Sequence, residues 1–285
     1  FPMGKFRAVA ERVIEAGLVE DWDSFHKPIP APAAWLETAH SGAYVDQVLT
    51  QRVPADLERR IGFKMTEPVA TRSRCAVAGT VLAARLALEH GAACNTAGGS
   101  HHAAHDGGAG FCVFNDVAVA AKLLTGEGAV KRVLVVDLDV HQGDGTARIF
   151  ADEPDVFTLS VHCEENWPRR KAVSDMDVGV TKGAGDADYL RVARAAVEEA
   201  LDAARPDLVF FNAGVDPHRD DRLGLLDLTD EGLARREAMV FEAVMRRGAP
   251  VCGVLGGGYS RDLEALSRRH ALLHRAAADA LKAFA

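Results

Sequence analysis

Short apolar runs alternate with longer amphipathic stretches along most of this chain. The runs Ala92–Ala97, Val130–Leu138, Val156–Val161, Leu208–Asn212 and Val251–Leu255 read as strands buried on both faces. Helical periodicity occupies Phe6 to Ile14, Trp35 to Thr50, about Val69 to His90, Val113 to Leu124, Ala187 to Ala204, Thr229 to Gly248 and Asp262 to the end. The Pro-rich segment His26 to Pro32 reads as a loop. Strand–helix alternation predicts an α/β fold: one domain over residues 1–285, with a central, mainly parallel sheet covered by helices on both faces. Such domains ordinarily open on a strand, whereas this sequence opens on a helical pattern. An opening strand is therefore expected ahead of Phe1.

Composition narrows the class. The chain has 285 residues, 48% hydrophobic and 26% charged, as in a globular α/β domain. Its net charge of −8 leaves no basic excess to neutralise phosphates, which argues against a nucleic-acid binder. A cationic substrate remains compatible with that balance. Five cysteines (Cys75, Cys94, Cys112, Cys163 and Cys252) are dispersed without a CxxC pair, which suits a reducing compartment. No apolar run approaches a membrane span and no basic-then-apolar leader is present, so a cytoplasmic location is expected.

In open α/β sheets, ligands bind beyond the carboxyl ends of the strands. Four predicted strands here end in chemistry: Gly98-Gly99-Ser100-His101-His102, Asp137-Leu138-Asp139-Val140-His141, Ala213-Gly214-Val215-Asp216 and Gly256-Gly257-Gly258-Tyr259. Asp137, Asp139 and His141 are spaced by two, so they share a side if the strand stays extended. Asp139, His141 and Asp216 make three protein ligands for a borderline divalent cation such as zinc, leaving a position open. His101 and His102 can act as general base and acid if carboxylates orient them. The Tyr259 hydroxyl can stabilise a developing oxyanion. Together these describe amide hydrolysis.

Five blocks in register resemble the histone deacetylase superfamily: the four strand ends, the second extended through Gln142-Gly143-Asp144-Gly145 and the third opening on Asn212, together with Gly110-Phe111-Cys112-Val113-Phe114-Asn115-Asp116. Gln142 and the insert-free length are most similar to the class IV branch and its bacterial relatives. The resemblance implies an arginase/deacetylase-like fold and zinc-dependent hydrolysis of an acylated lysine side chain or an acylated small amine. It implies zinc at Asp139, His141 and Asp216, with His102 as general base and His101 as its electrostatic partner. Asp137 would hydrogen-bond His101, Asp144 would orient His102, and Tyr259 would bind the substrate carbonyl. Phe111 would wall a tunnel, and the Gly110 carbonyl would accept from the substrate amide. Trp167 is the candidate for the opposite wall. A structural potassium ion is implied at oxygens of Asp137, Asp139, His141, Ser160 and Val161.

Two other functions fit parts of the pattern. A ureohydrolase of the arginase type shares the fold but needs paired manganese ions and additional aspartates, against which the tandem histidines and the Gly-rich Tyr259 loop argue. A catalytically inactive acyl-lysine binding module would not require the complete set of ligands, histidines and tyrosine. His105 reads as a loop residue, and His40 with Tyr44 as packing against the sheet.

Overall fold

The computed structural model describes residues 1–284. Six strands form one sheet: β1 (Ala92–Cys94), β2 (Val133–Asp137), β3 (Val156–Cys163), β4 (Met176–Val180), β5 (Leu208–Asn212) and β6 (Val251–Val254). Their order is β1-β6-β5-β2-β3-β4, and every neighbouring pair is parallel. Before β1 lie α1 (Lys5–Glu15), α2 (Ala33–Leu36), α3 (Gly42–Leu49), α4 (Ala55–Ile61) and the long α5 (Glu67–His90). The crossovers carry α6 (Asp116–Gly126), α7 (Asp144–Phe150), α8 (Asp186–Ala204) and α9 (Asp230–Met245), and α10 (Leu263–Phe284) follows β6.

The period-two rule of strands divides the core into two layers. Leu134, Val136, Val209 and Phe211 join one cluster with side chains of α1, α8, α9 and α10. The alternate residues Val133, Val135, Leu208 and Phe210 join the other, with α3, α5 and α6. Helices thus cover both faces, as the apolar runs predicted. From β2 the chain winds outward through β3 and β4, then returns to β5 on the other side of β2. The strand order reverses between β2 and β5, where open α/β sheets form their crevice.

Several boundaries depart from the pattern reading. The stretch Trp35–Thr50 is two helices, interrupted where Ser41 accepts from the Tyr44 amide and caps α3. His40 lies in that break, its Nδ1 2.9 Å from the Ala104 carbonyl and its Nε2 accepting from the Asn115 amide. β1 stops at Cys94 because Asn95 turns the chain, its Oδ1 accepting from the Ala97 amide. The strand β4 and the short helices α4 and α7 were not anticipated.

The largest correction concerns β2. It ends at Asp137, so Asp139 and His141 do not continue an extended strand. Asp137 Oδ1 accepts from the Asp139 amide at 3.2 Å, and Asp139 Oδ1 accepts from the His141 amide at 3.0 Å. Two successive Asx turns curl the backbone and bring the His141 ring back onto Asp139.

Candidate active site

Loops after β1, β2, β5 and β6 converge above the crevice. Asp139, His141 and Asp216 are buried there, each offering a ligand atom within 4.8 Å of the others. Among the described residues this is the one cluster of at least three such side chains. His141 Nδ1 lies 3.1 Å from Asp139 Oδ1 and 3.2 Å from Asp216 Oδ2. The remaining carboxylate oxygens are held by backbone. Gly257 N–H donates to Asp139 Oδ2 at 2.7 Å, and Val140 N–H donates to Asp216 Oδ1 at 2.9 Å.

Three features fit this cluster to a divalent cation. The donor set of two carboxylates and one imidazole suits zinc. Asp216 Oδ2 is buried and meets no donor in hydrogen-bonding geometry, an uncommon and costly state for a carboxylate oxygen. A Cβ on Gly257 would lie 2.1 Å from Asp216 Oδ2 and 2.7 Å from Asp139 Oδ2, so only glycine leaves this space open. Burial and the adjacent Asp139 raise Asp216 to about 7. Burial opposes protonation of His141, but the two carboxylates outweigh it and hold the imidazole up at about 10.

The tandem histidines diverge. His101 Nδ1 lies 2.7 Å from Asp137 Oδ2, whose other oxygen accepts from Asn212 Nδ2 at 2.9 Å. His102 Nδ1 lies 2.8 Å from Asp144 Oδ1, and Arg148 binds the other oxygen of Asp144 one helical turn along α7. Burial disfavours the charge on both rings. For His101, Asp137 and Asp139 overcome it, and the pKa rises to about 9. For His102, the charged His101 adds to burial and the pKa falls to about 3 despite Asp144. With Nδ1 of His102 committed to Asp144, Nε2 is its free nitrogen.

His102 and His141 floor a cavity of about 240 Å³ walled by Phe111, Trp167, Leu223 and Tyr259. Trp167 meets the His102 ring edge-on with centroids 4.4 Å apart, and Phe111 lies 5.6 Å from Tyr259. Phe111 adopts φ +67°, a conformation that L side chains rarely take. It is held by its amide donating to the Ile61 carbonyl at 2.7 Å, and Gly62 leaves the space its ring fills. The Gly110 carbonyl meets the Cys112 thiol at 3.5 Å. The Tyr259 amide donates to Asp221 Oδ2 at 2.6 Å, and burial raises its phenol well above the ordinary value.

The structure therefore gathers His101, His102, Asp137, Asp139, Asp144, His141, Asp216, Tyr259, Gly110, Phe111 and Trp167 around one site. Ser160 and Val161 lie on β3 beside it, with Ser160 in register with Asp137. His105 is an exposed loop residue, its Nδ1 3.0 Å from the Ala39 carbonyl. Pattern reading did not single out Arg148 or Leu223, and it read the Asp220-Asp221 run as stabilising its loop or lining the entrance, in keeping with Asp221 accepting from the Tyr259 amide. Arg148 stands four residues from Asp144, a helical spacing that could have marked it; Leu223 has no local signal.

A doubly covered parallel sheet with acid–base and ligand residues on its strand ends defines an α/β enzyme of the arginase/deacetylase-like fold. A histone deacetylase domain model matches residues 1–275. The chain belongs to the histone deacetylase family and is a hydrolase of that family. It is 47% identical to an uncharacterized protein of Picosynechococcus sp. over 98% of this chain and 93% of that protein. It is 30% identical to histone deacetylase 2 of Arabidopsis thaliana over 92% of this chain and 70% of that protein. The crystal structure of the HDA15 HD domain superposes with a TM-score of 0.82 at 26% identity, covering 96% of this chain and 82% of that one.

Proposed function

We propose that residues 1–285 form one catalytic domain that hydrolyses the amide of an acylated lysine side chain, or of a similar acylated small amine, releasing a carboxylate and a free amine. One observation carries this reading: His102 and Tyr259 line the same cavity as His141, a member of the Asp139–His141–Asp216 cluster. An acyl-lysine is a slender apolar stem ending in an amide, and the aromatic walls of Phe111 and Trp167 suit that stem.

Asp139, His141 and Asp216 would hold zinc, which when bound supplies Lewis acidity for the carbonyl and acidifies water. Oxygens of Asp137, Asp139, His141, Ser160 and Val161 would hold a structural potassium ion, a hard donor set on the adjacent ends of β2 and β3.

His102 rests neutral, so its Nε2 accepts a proton from the attacking water. As the C–N bond breaks, that proton passes to the departing amine. His101, charged and paired with Asp137, stabilises negative charge developing nearby. The Tyr259 hydroxyl donates to the carbonyl oxygen as it becomes an oxyanion, and the Gly110 carbonyl accepts from the substrate N–H. Asp144, braced by Arg148, fixes the His102 tautomer. Five free thiols accord with a reducing, cytoplasmic setting. Among the described residues, no helix is long and apolar enough to cross a membrane.

Metal-loaded protein is expected to release carboxylate from an acyl-lysine reporter, to stop with a chelator or a hydroxamate, and to recover when zinc is restored. Urea release from arginine or agmatine, or tight acyl-lysine binding without turnover by metal-replete protein, would contradict the proposal.

A further inference from the structure

Three of the loops that wall the cavity carry exposed arginines. Arg169 and Arg170 follow Trp167, Arg222 precedes Leu223, and Arg261 lies two residues past Tyr259. None has a carboxylate within ion-pair distance among the described residues, although the chain as a whole carries a charge of −8. The carboxylates on two of these loops are engaged within the protein. Asp220 pairs with Arg269, Asp227 with Arg219, and Asp221 accepts from the amides of Leu223, Gly224 and Tyr259. Asp262 accepts from the Ala265 amide at the start of α10. Beside Trp167, Glu165 accepts from the Lys182 amide and Glu164 lies 3.8 Å from His162. The fourth wall, at Phe111, has Asp106 beside His105 on its approach, and Arg60 donating only to the Gly108 carbonyl.

These carboxylates keep their charge but each has a partner within the fold, whereas the four exposed arginines have no carboxylate partner among the described residues. Trp167 and Leu223, 41% and 42% exposed, set an apolar lip between the arginines. We propose that this rim selects acyl-lysines lying in acidic segments of polypeptide, a substrate class that rests on the deacylase reading above. A carboxylate on a residue flanking the acyl-lysine meets a guanidinium on whichever loop it crosses. Arginine suits that contact because its planar fork pairs with a carboxylate through two parallel hydrogen bonds. The same rim repels basic-flanked peptides and acylated polyamines, whose remaining amines are cationic.

The test uses metal-loaded protein and acetyl-lysine peptides of equal length flanked by Asp/Glu, by Gly/Ser or by Lys/Arg, with an N-acetylpolyamine as a fourth substrate. Both kcat/KM and binding, read by fluorescence anisotropy, are measured. The acidic-flanked peptide is expected to lead the basic-flanked one by about tenfold at low salt. The gap should close toward parity near 0.5 M salt, where the screening length is only a few ångströms. The triple variant Arg169→Glu, Arg222→Glu, Arg261→Glu, checked for an unchanged melting temperature, should reverse the order. A flat ranking at low salt, a lead for the basic peptide or the polyamine, or an order the variant leaves unchanged would overturn the proposal. If no peptide turns over, the deacylase reading fails, and the order of binding still decides the charge selectivity.

Discussion

The rings of His101 and His102 lie 3.9 Å apart, yet each Nδ1 is anchored on a different carboxylate. Asp137 comes from the end of β2 and Asp144 from the first turn of α7. Neighbours in sequence thus acquire opposite protonation states, about 9 for one and about 3 for the other, because the charge on the first penalises charge on the second. Division into a charged partner and a neutral base predicts unequal substitutions. His102→Ala should lower kcat by roughly 10²- to 10⁴-fold, the range for losing a positioned acid–base group. His101→Ala should cost less while leaving zinc content, measured by elemental analysis, near one per chain. Equal losses in both variants would remove the basis for separate roles.

Gly257 gives a test of the metal site that does not depend on turnover. Its amide holds Asp139, and a methyl group would intrude between Asp139 and Asp216. Gly257→Ala should therefore weaken zinc binding by roughly 10- to 100-fold, the range for disturbing groups that orient metal ligands. Competition with a chromophoric chelator reads this directly. An unchanged affinity would mean that the two carboxylates can separate freely.

Tyr259→Phe removes only a hydroxyl. The ring contacts with Phe111 and Phe1 survive, as does the backbone bond to Asp221. The expected loss is roughly 10²- to 10³-fold in kcat with little change in KM, because the hydroxyl acts on charge that develops after binding. Steady-state kinetics on one acyl-lysine reporter checks this, and a variant of full activity would exclude Tyr259 as the oxyanion donor.

The parts of this protein that were legible in sequence are those set by local pattern. Buried runs such as Leu208–Asn212 fix their own strand, and four chemistry-bearing ends point to one sheet edge. β4 was hidden because Met176–Val180 alternates weakly, carries Asp177 and Gly179, and sits at the sheet edge, where strand composition relaxes. The course of the chain after Asp137 was misread because side-chain-to-amide bonds of Asp137 and Asp139 compete with strand geometry, and periodicity does not register them. Leu223 reaches the cavity from a loop whose path is set by Asp221 and Tyr259, a relation between distant segments. Trp167 faces His102 through the same kind of loop packing, anchored by Lys171 donating to the Asn166 and Pro168 carbonyls.

His40 predicts how the fold responds to acid. It is buried, its Nε2 accepts from the Asn115 amide, and its Nδ1–H faces the Ala104 carbonyl, so the neutral tautomer is the one the site accommodates. Burial holds its pKa down at about 4, against about 6.5 for an unfolded histidine. Between those values the unfolded chain takes up a proton that the folded one refuses. The contribution is fully present above pH 6.5 and is lost as pH falls through about 4, up to about 3 kcal/mol in all. Urea denaturation at pH 7.5 and pH 5 should show a lower midpoint in acid. His40→Leu should reduce that difference, the remainder coming from other buried neutral histidines such as His102 and His274, while costing about 1–3 kcal/mol at pH 7.5, since the Asn115 amide and Ala104 carbonyl lose their partner. If the variant keeps the wild-type acid dependence in full, the proton responsible binds elsewhere.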